Sequence, residues 1–103
     1  MNPEEMQANA EQAANLLKSM ANKHRLLLLC MLNDKELSVS ELNMELEIPQ
    51  STLSQHLSVL RKDGLVNTRR DAQTIYYSLK SGEASRIVEV LYELFCAPEG
   101  CSP

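Results

Sequence analysis

The stretch that decides the fold reads Ile48-Pro49-Gln50-Ser51-Thr52-Leu53-Ser54-Gln55-His56-Leu57-Ser58-Val59-Leu60-Arg61-Lys62-Asp63-Gly64-Leu65-Val66. Leu53, Leu57 and Leu60 recur at i, i+4 and i+7, the spacing of a buried helical stripe. The other face opens with Gln50, Ser51, Thr52, Ser54, Gln55 and His56, short or planar hydrogen-bonding side chains with no fixed charge. A helix that only had to stay soluble would carry Glu and Lys there. Donor and acceptor side chains at the N-terminal end of an exposed helix suit the reading of base edges in a DNA major groove.

The flanks supply the rest of a pattern. Upstream, Ser38-Val39-Ser40-Glu41 matches a capping box and opens a short helix over 39–46. Glu47-Ile48-Pro49 is a tight turn, and Pro49 is tolerated at a helix start because its missing N–H costs nothing there. A short helix, a turn and a longer helix make helix-turn-helix anatomy. Downstream, Gly64 stops the long helix. Residues 65–70 and 74–79, rich in Val, Thr, Ile and Tyr, then predict a two-stranded hairpin with Arg69, Arg70 and Gln73 at its tip. Leu37-Ser38-Val39 reads as a short strand or an extended link. An amphipathic helix is expected over 4–20 and a second, capped by Asn22 and largely buried, over 23–32. A last helix is expected over 82–96. The expectation is an α+β, mainly α, winged helix-turn-helix of five helices and a two-stranded wing. It forms one domain over 1–97 with a flexible tail at 98–103.

Composition narrows the function. The 103 residues carry a net charge of −4, which looks wrong for a nucleic-acid binder until it is mapped along the chain. Residues 50–80 hold five basic side chains against two acidic ones, whereas residues 1–49 hold four against eight. Positive charge is therefore concentrated beside the polar helix, the footprint of a local DNA contact. The polar, acidic N-terminus is unlike a secretion signal, and no apolar run reaches membrane-spanning length, so a cytoplasmic protein without a membrane partner is expected. Three cysteines, Cys30, Cys96 and Cys101, without a secretion signal argue against structural disulfides and leave buried or reactive thiols.

The segment Ser51-x-x-Ser54-Gln55-His56-Leu57-x-x-Leu60-Arg61-x-x-Gly64-Leu65-Val66 resembles the recognition-helix signature of the ArsR family of bacterial winged-helix repressors. Leu16-Leu17-Lys18-Ser19-Met20-Ala21-Asn22, with Arg25 and Leu26, resembles the family's entry to its second helix. The resemblance implies a homodimer built from the first and last helices, and a signal that alters affinity for double-stranded operator DNA. Family members that sense soft metals place a Cys-x-Cys pair where this chain has Ser38-Val39-Ser40. Members that sense zinc through the last helix use histidines, and this one has Glu83, Arg86, Glu89 and Glu93. Neither site is present, so no metal and no cofactor is expected. Cys30 and Cys96 instead resemble the pair of a dithiol subgroup that includes the hemolysin regulator and the persulfide- and peroxide-responsive repressors. The resemblance implies an intrasubunit disulfide or polysulfide bridge between them, formed by reactive sulfur or oxidant and weakening DNA binding.

The expected function is thus redox- or sulfur-responsive transcription regulation, without enzymatic activity. DNA contacts are expected from Gln50, Ser51, Thr52, Ser54, Gln55, His56, Arg69, Arg70 and Gln73, and sensing from Cys30 and Cys96. One alternative is a redox-insensitive regulator or anti-repressor with structural cysteines. A remote one is a thiol peroxidase or sulfur transferase, against which stands the lack of a Cys-x-x-Cys pair or acid–base constellation.

Overall fold

A computed structural model of the protein describes residues 2–96. Five helices and three short strands follow in the order α1 (Pro3–Met20), α2 (Lys23–Met31), β1 (Leu37–Ser38), α3 (Val39–Glu45), α4 (Gln50–Lys62), β2 (Val66–Asp71), β3 (Thr74–Leu79) and α5 (Glu83–Phe95). The tail expected at 98–103, with Cys101, lies outside the described residues. Among those described, no helix is long and apolar enough to cross a membrane.

Local chemistry accounts for the boundaries. Asn22 accepts from the backbone N–H groups of His24 and Arg25, which starts α2 two residues after α1 ends. Ser38 and Glu41 form the complete capping box, each side chain bonded to the other residue's N–H. Pro49 precedes the first turn of α4 instead of occupying it. Gly64, at φ +75°, follows the helix in the left-handed region and turns the chain into β2.

The sheet differs from the expected hairpin in one respect. Leu37 and Ser38 pair antiparallel with Tyr77 and Tyr76, so the wing is a three-stranded sheet in the order β1-β3-β2. Two residues sufficed to add a strand because β3 has a second edge that needs hydrogen-bond partners. The hairpin turn is shorter than expected: Asp71 pairs with Thr74, leaving Ala72 and Gln73 as the loop. Ala72 sits at φ +57°, a conformation glycine would adopt with less strain. Two backbone bonds hang the wing from the body. Leu79 N–H donates to the Leu32 carbonyl at 3.1 Å and Lys80 N–H to that of Leu65 at 3.0 Å.

The core is aliphatic. Leu28, Leu29 and Leu32 from the second helix and its end meet Leu42 of α3, Leu53, Leu57 and Leu60 of α4, and Val88 of α5. α2 is less buried than its sequence suggests, because Leu27 and Cys30 are exposed. With so small a core, Leu57→Ala is expected to cost about 2–5 kcal/mol through lost burial and a cavity. Urea denaturation of the purified protein checks this, with the far-UV circular dichroism transition as readout.

Candidate nucleic-acid interface

The three buried leucines of α4 fix which way the helix faces. Leu53, Leu57 and Leu60 have no solvent exposure, so the opposite side of the cylinder is turned outward. Ser51, Ser54, Gln55, Ser58 and Lys62 are exposed there, while Thr52 and His56 are half-buried along one flank. Gln50 is exposed at the first turn. Ser58 and Lys62 continue the row begun by Ser51 and Gln55, although the sequence reading did not single them out. The same 3.6-residue period that marked the leucines would have found them. No side chain caps the start of α4, which leaves its first-turn N–H groups to solvent or to an anion.

The wing presents its arginines unequally. Arg69 Nε donates to both carboxylate oxygens of Glu36 at 3.0 Å, and Nη2 lies 2.9 Å from Oε1. Its guanidinium also stands 4.7 Å from the centre of the Tyr76 ring. The Glu36 carboxyl is held below its ordinary range by this arginine. Arg69 is thereby engaged with a carboxylate partway along the sheet, opposite Tyr76. Arg70 is exposed, its Nε bonded to the Ala72 carbonyl across the turn, and Gln73 is exposed beside it.

His56 faces a second cluster. Its ring lies 5.7 Å from that of His24, tilted by 38°. Arg25, next in α2, donates from Nε to the Ser19 carbonyl at 2.6 Å. The Ser19 hydroxyl in turn donates to Asp63, at the end of α4, at 2.5 Å. This seam joins α1, α2 and α4, and nothing in the sequence pattern alone announced it.

Cys30 and Cys96 lie on α2 and at the end of α5. Cys30 is an exposed thiol on α2, although neighbouring groups desolvate its sulfur enough to push its pKa up. Cys96 follows the last residue of α5 and is half-buried. α2 and α5 pack against one another.

The His56 environment has a measurable consequence. Packing desolvates the imidazole, and Arg25 and His24 add like charge, so its pKa lies below the usual value. A histidine kept neutral by the fold binds fewer protons folded than unfolded. Its contribution to stability is complete above its ordinary value near pH 6.5 and is lost as pH falls from there through the lower folded value. The urea midpoint of the free protein should therefore decline between pH 7.5 and 5.5, and the decline should shrink in His56→Gln.

Residues 22–68, from the cap of α2 to the start of the wing, match the family model described as "Bacterial regulatory protein, arsR family". The transcriptional activator HlyU of Vibrio cholerae is 56% identical over 93% of this chain and 89% of its own length. The biofilm growth-associated repressor of Agrobacterium fabrum is 50% identical over 91% of this chain and 80% of its own. The solved structure of reduced HlyU from Vibrio cholerae superposes with a TM-score of 0.86 at 56% identity, covering 89% of this chain and 97% of that one. At these levels of identity, coverage and superposition, the chain belongs to the ArsR family of bacterial winged-helix transcriptional regulators.

Proposed function

We propose that the protein binds operator DNA as a homodimer and that oxidation or persulfidation of Cys30 and Cys96 weakens that binding. The DNA-binding half is supported by the outward polar row of α4, the uncapped start of that helix and Arg70 at the wing tip. Dimerisation is supported by apolar side chains left exposed on the first and last helices. Leu17 of α1 and Leu94 of α5 are 53% and 68% exposed, and covering such surface drives association. Two copies would place their α4 helices in successive major grooves, about one helical turn of DNA apart.

The observation that carries the sensing half is the placement of the two thiols. Cys30 is exposed on α2, and Cys96 ends the helix that packs on α2. The upward shift of Cys30 disfavours its thiolate, so first attack is ascribed to Cys96. Its thiolate attacks a hydrogen disulfide, forming a Cys96 persulfide and releasing one hydrosulfide. The Cys30 sulfur then attacks the Cys96 sulfur and expels the second hydrosulfide. Two thiols are oxidised to a disulfide, and one disulfane is reduced to two molecules of hydrogen sulfide. The bridge would tie α2 to α5 and favour a conformation of lower DNA affinity. The similar solved structure from Vibrio cholerae is of reduced HlyU.

The raised Cys30 also favours a second reading, in which the thiols are inert and the protein acts on DNA irrespective of oxidant. The two readings separate in one experiment. The protein is treated with sodium disulfide, its Cys30 and Cys96 peptides are examined by mass spectrometry, and operator binding is followed by gel shift. A bridged or polysulfide-linked pair and at least a tenfold loss of affinity are expected, both absent in Cys30→Ser and in Cys96→Ser. An equal loss in Cys30→Ser, or full affinity in the modified wild type, would eliminate the sensing role.

A further inference from the structure

His24 is the second residue of α2, and His56 sits on the flank of α4 one turn beyond Thr52. Their rings are 5.7 Å apart, and both residues are half-buried, so an edge of the pair stays open to solvent. Asn22 fixes the start of α2 by accepting from the N–H groups of His24 and Arg25. The charged groups whose fields reach His56 are Arg25 and His24, both from α2. α3 and β2 also pack on α4. Of their charged residues, Glu41 is turned back onto the Ser38 N–H, Arg69 is tied to Glu36 and Arg70 bonds the Ala72 carbonyl, while Glu45 and Asp71 are not among the charges that act on His56.

Two imidazoles and a guanidinium thus share one flank of the recognition helix. In the free protein a proton on His56 is opposed by partial burial and by Arg25 and His24. An anion brought to that flank reverses the balance, because it attracts the proton and accepts a hydrogen bond from the imidazolium. A DNA phosphodiester meets both requirements when α4 lies in the groove, since the backbone lines the flanks of an inserted helix. We propose that the His24–His56 pair is a backbone-phosphate contact of this protein, and that operator binding takes up a solvent proton there. The proposal rests on the DNA-binding reading of α4 and extends the contact surface to the N-terminus of α2.

The test needs a duplex selected by the protein from a random pool, and anisotropy titrations from pH 5.8 to 8.2 at constant ionic strength. Uptake of one proton allows up to about tenfold in affinity per pH unit between the free and bound pKa values. The wild type should bind about three- to tenfold more tightly at pH 6.0 than at pH 7.5. Calorimetry at pH 6.8 in buffers of different ionisation enthalpy should register net proton uptake. His24→Gln and His56→Gln should each flatten the pH profile, and the double variant should abolish it. Wild-type binding that is independent of pH or weaker in acid overturns the proposal, as does calorimetry without proton uptake, whether or not the variants fold. A pH slope retained in a folded double variant overturns it equally. Failure of the folded wild type to retain any duplex at any pH would remove the proposal together with the DNA-binding reading beneath it.

Discussion

The rotation of α4 about its own axis is the constraint on which everything else depends. Successive residues of a helix are about 100° apart, so a register error of one position would present a different set of side chains. The leucines at 53, 57 and 60 prevent that, because each has a place among Leu28, Leu29 and Leu42. Turning any of them outward would expose a side chain worth about 1.5–3 kcal/mol of burial. The polar row is therefore oriented by what lies beneath it, and its chemistry is available only because the core holds the helix still.

The other contacts refine this orientation at three points. Asp63 ties the C-terminal end of α4 to Ser19 of α1, and His56 meets His24 partway along the helix. The α3–α4 turn fixes the N-terminal end. α1, which carries part of the exposed apolar surface, and α2 are thus joined to the helix that carries the polar row. Any rearrangement of α1 or α2 reaches α4 through polar groups of low tolerance, since hydrogen bonds weaken steeply with misalignment.

The sequence disclosed features that depend on near neighbours in the chain. The leucine stripe, the Ser38–Glu41 box, the Asn22 cap and the Gly64 stop each involve residues a few positions apart, and each is present where the pattern indicates. Features made by distant residues were not legible. Leu37 and Ser38 join the sheet through residues some forty positions on, and no local preference reports such pairing. The same holds for Arg69, whose partner Glu36 lies 33 residues away. Two adjacent arginines in the sequence look equivalent, and only the fold distinguishes one engaged with a carboxylate from one exposed at the turn. Cys30 was hidden differently: it sits in an unbroken apolar run, and its exposure follows from the small core, which leaves part of α2 uncovered.

The suspension of the wing has a mechanical consequence. β3 is attached to the body at its C-terminal end, where Leu79 donates to the carbonyl of Leu32 just past α2. From that attachment a six-residue strand reaches about 20 Å to its far end, but it does not swing freely. β1, which runs directly into α3, grips it again at Tyr76 and Tyr77, and Glu36 holds Arg69 of the neighbouring strand. The wing is therefore clamped at its base and at its middle, and only the turn and the residues beside it project past the second clamp. A movement of the chain at Leu32, two residues from Cys30, is shared by the whole sheet, and Arg70 travels with the body that carries α3.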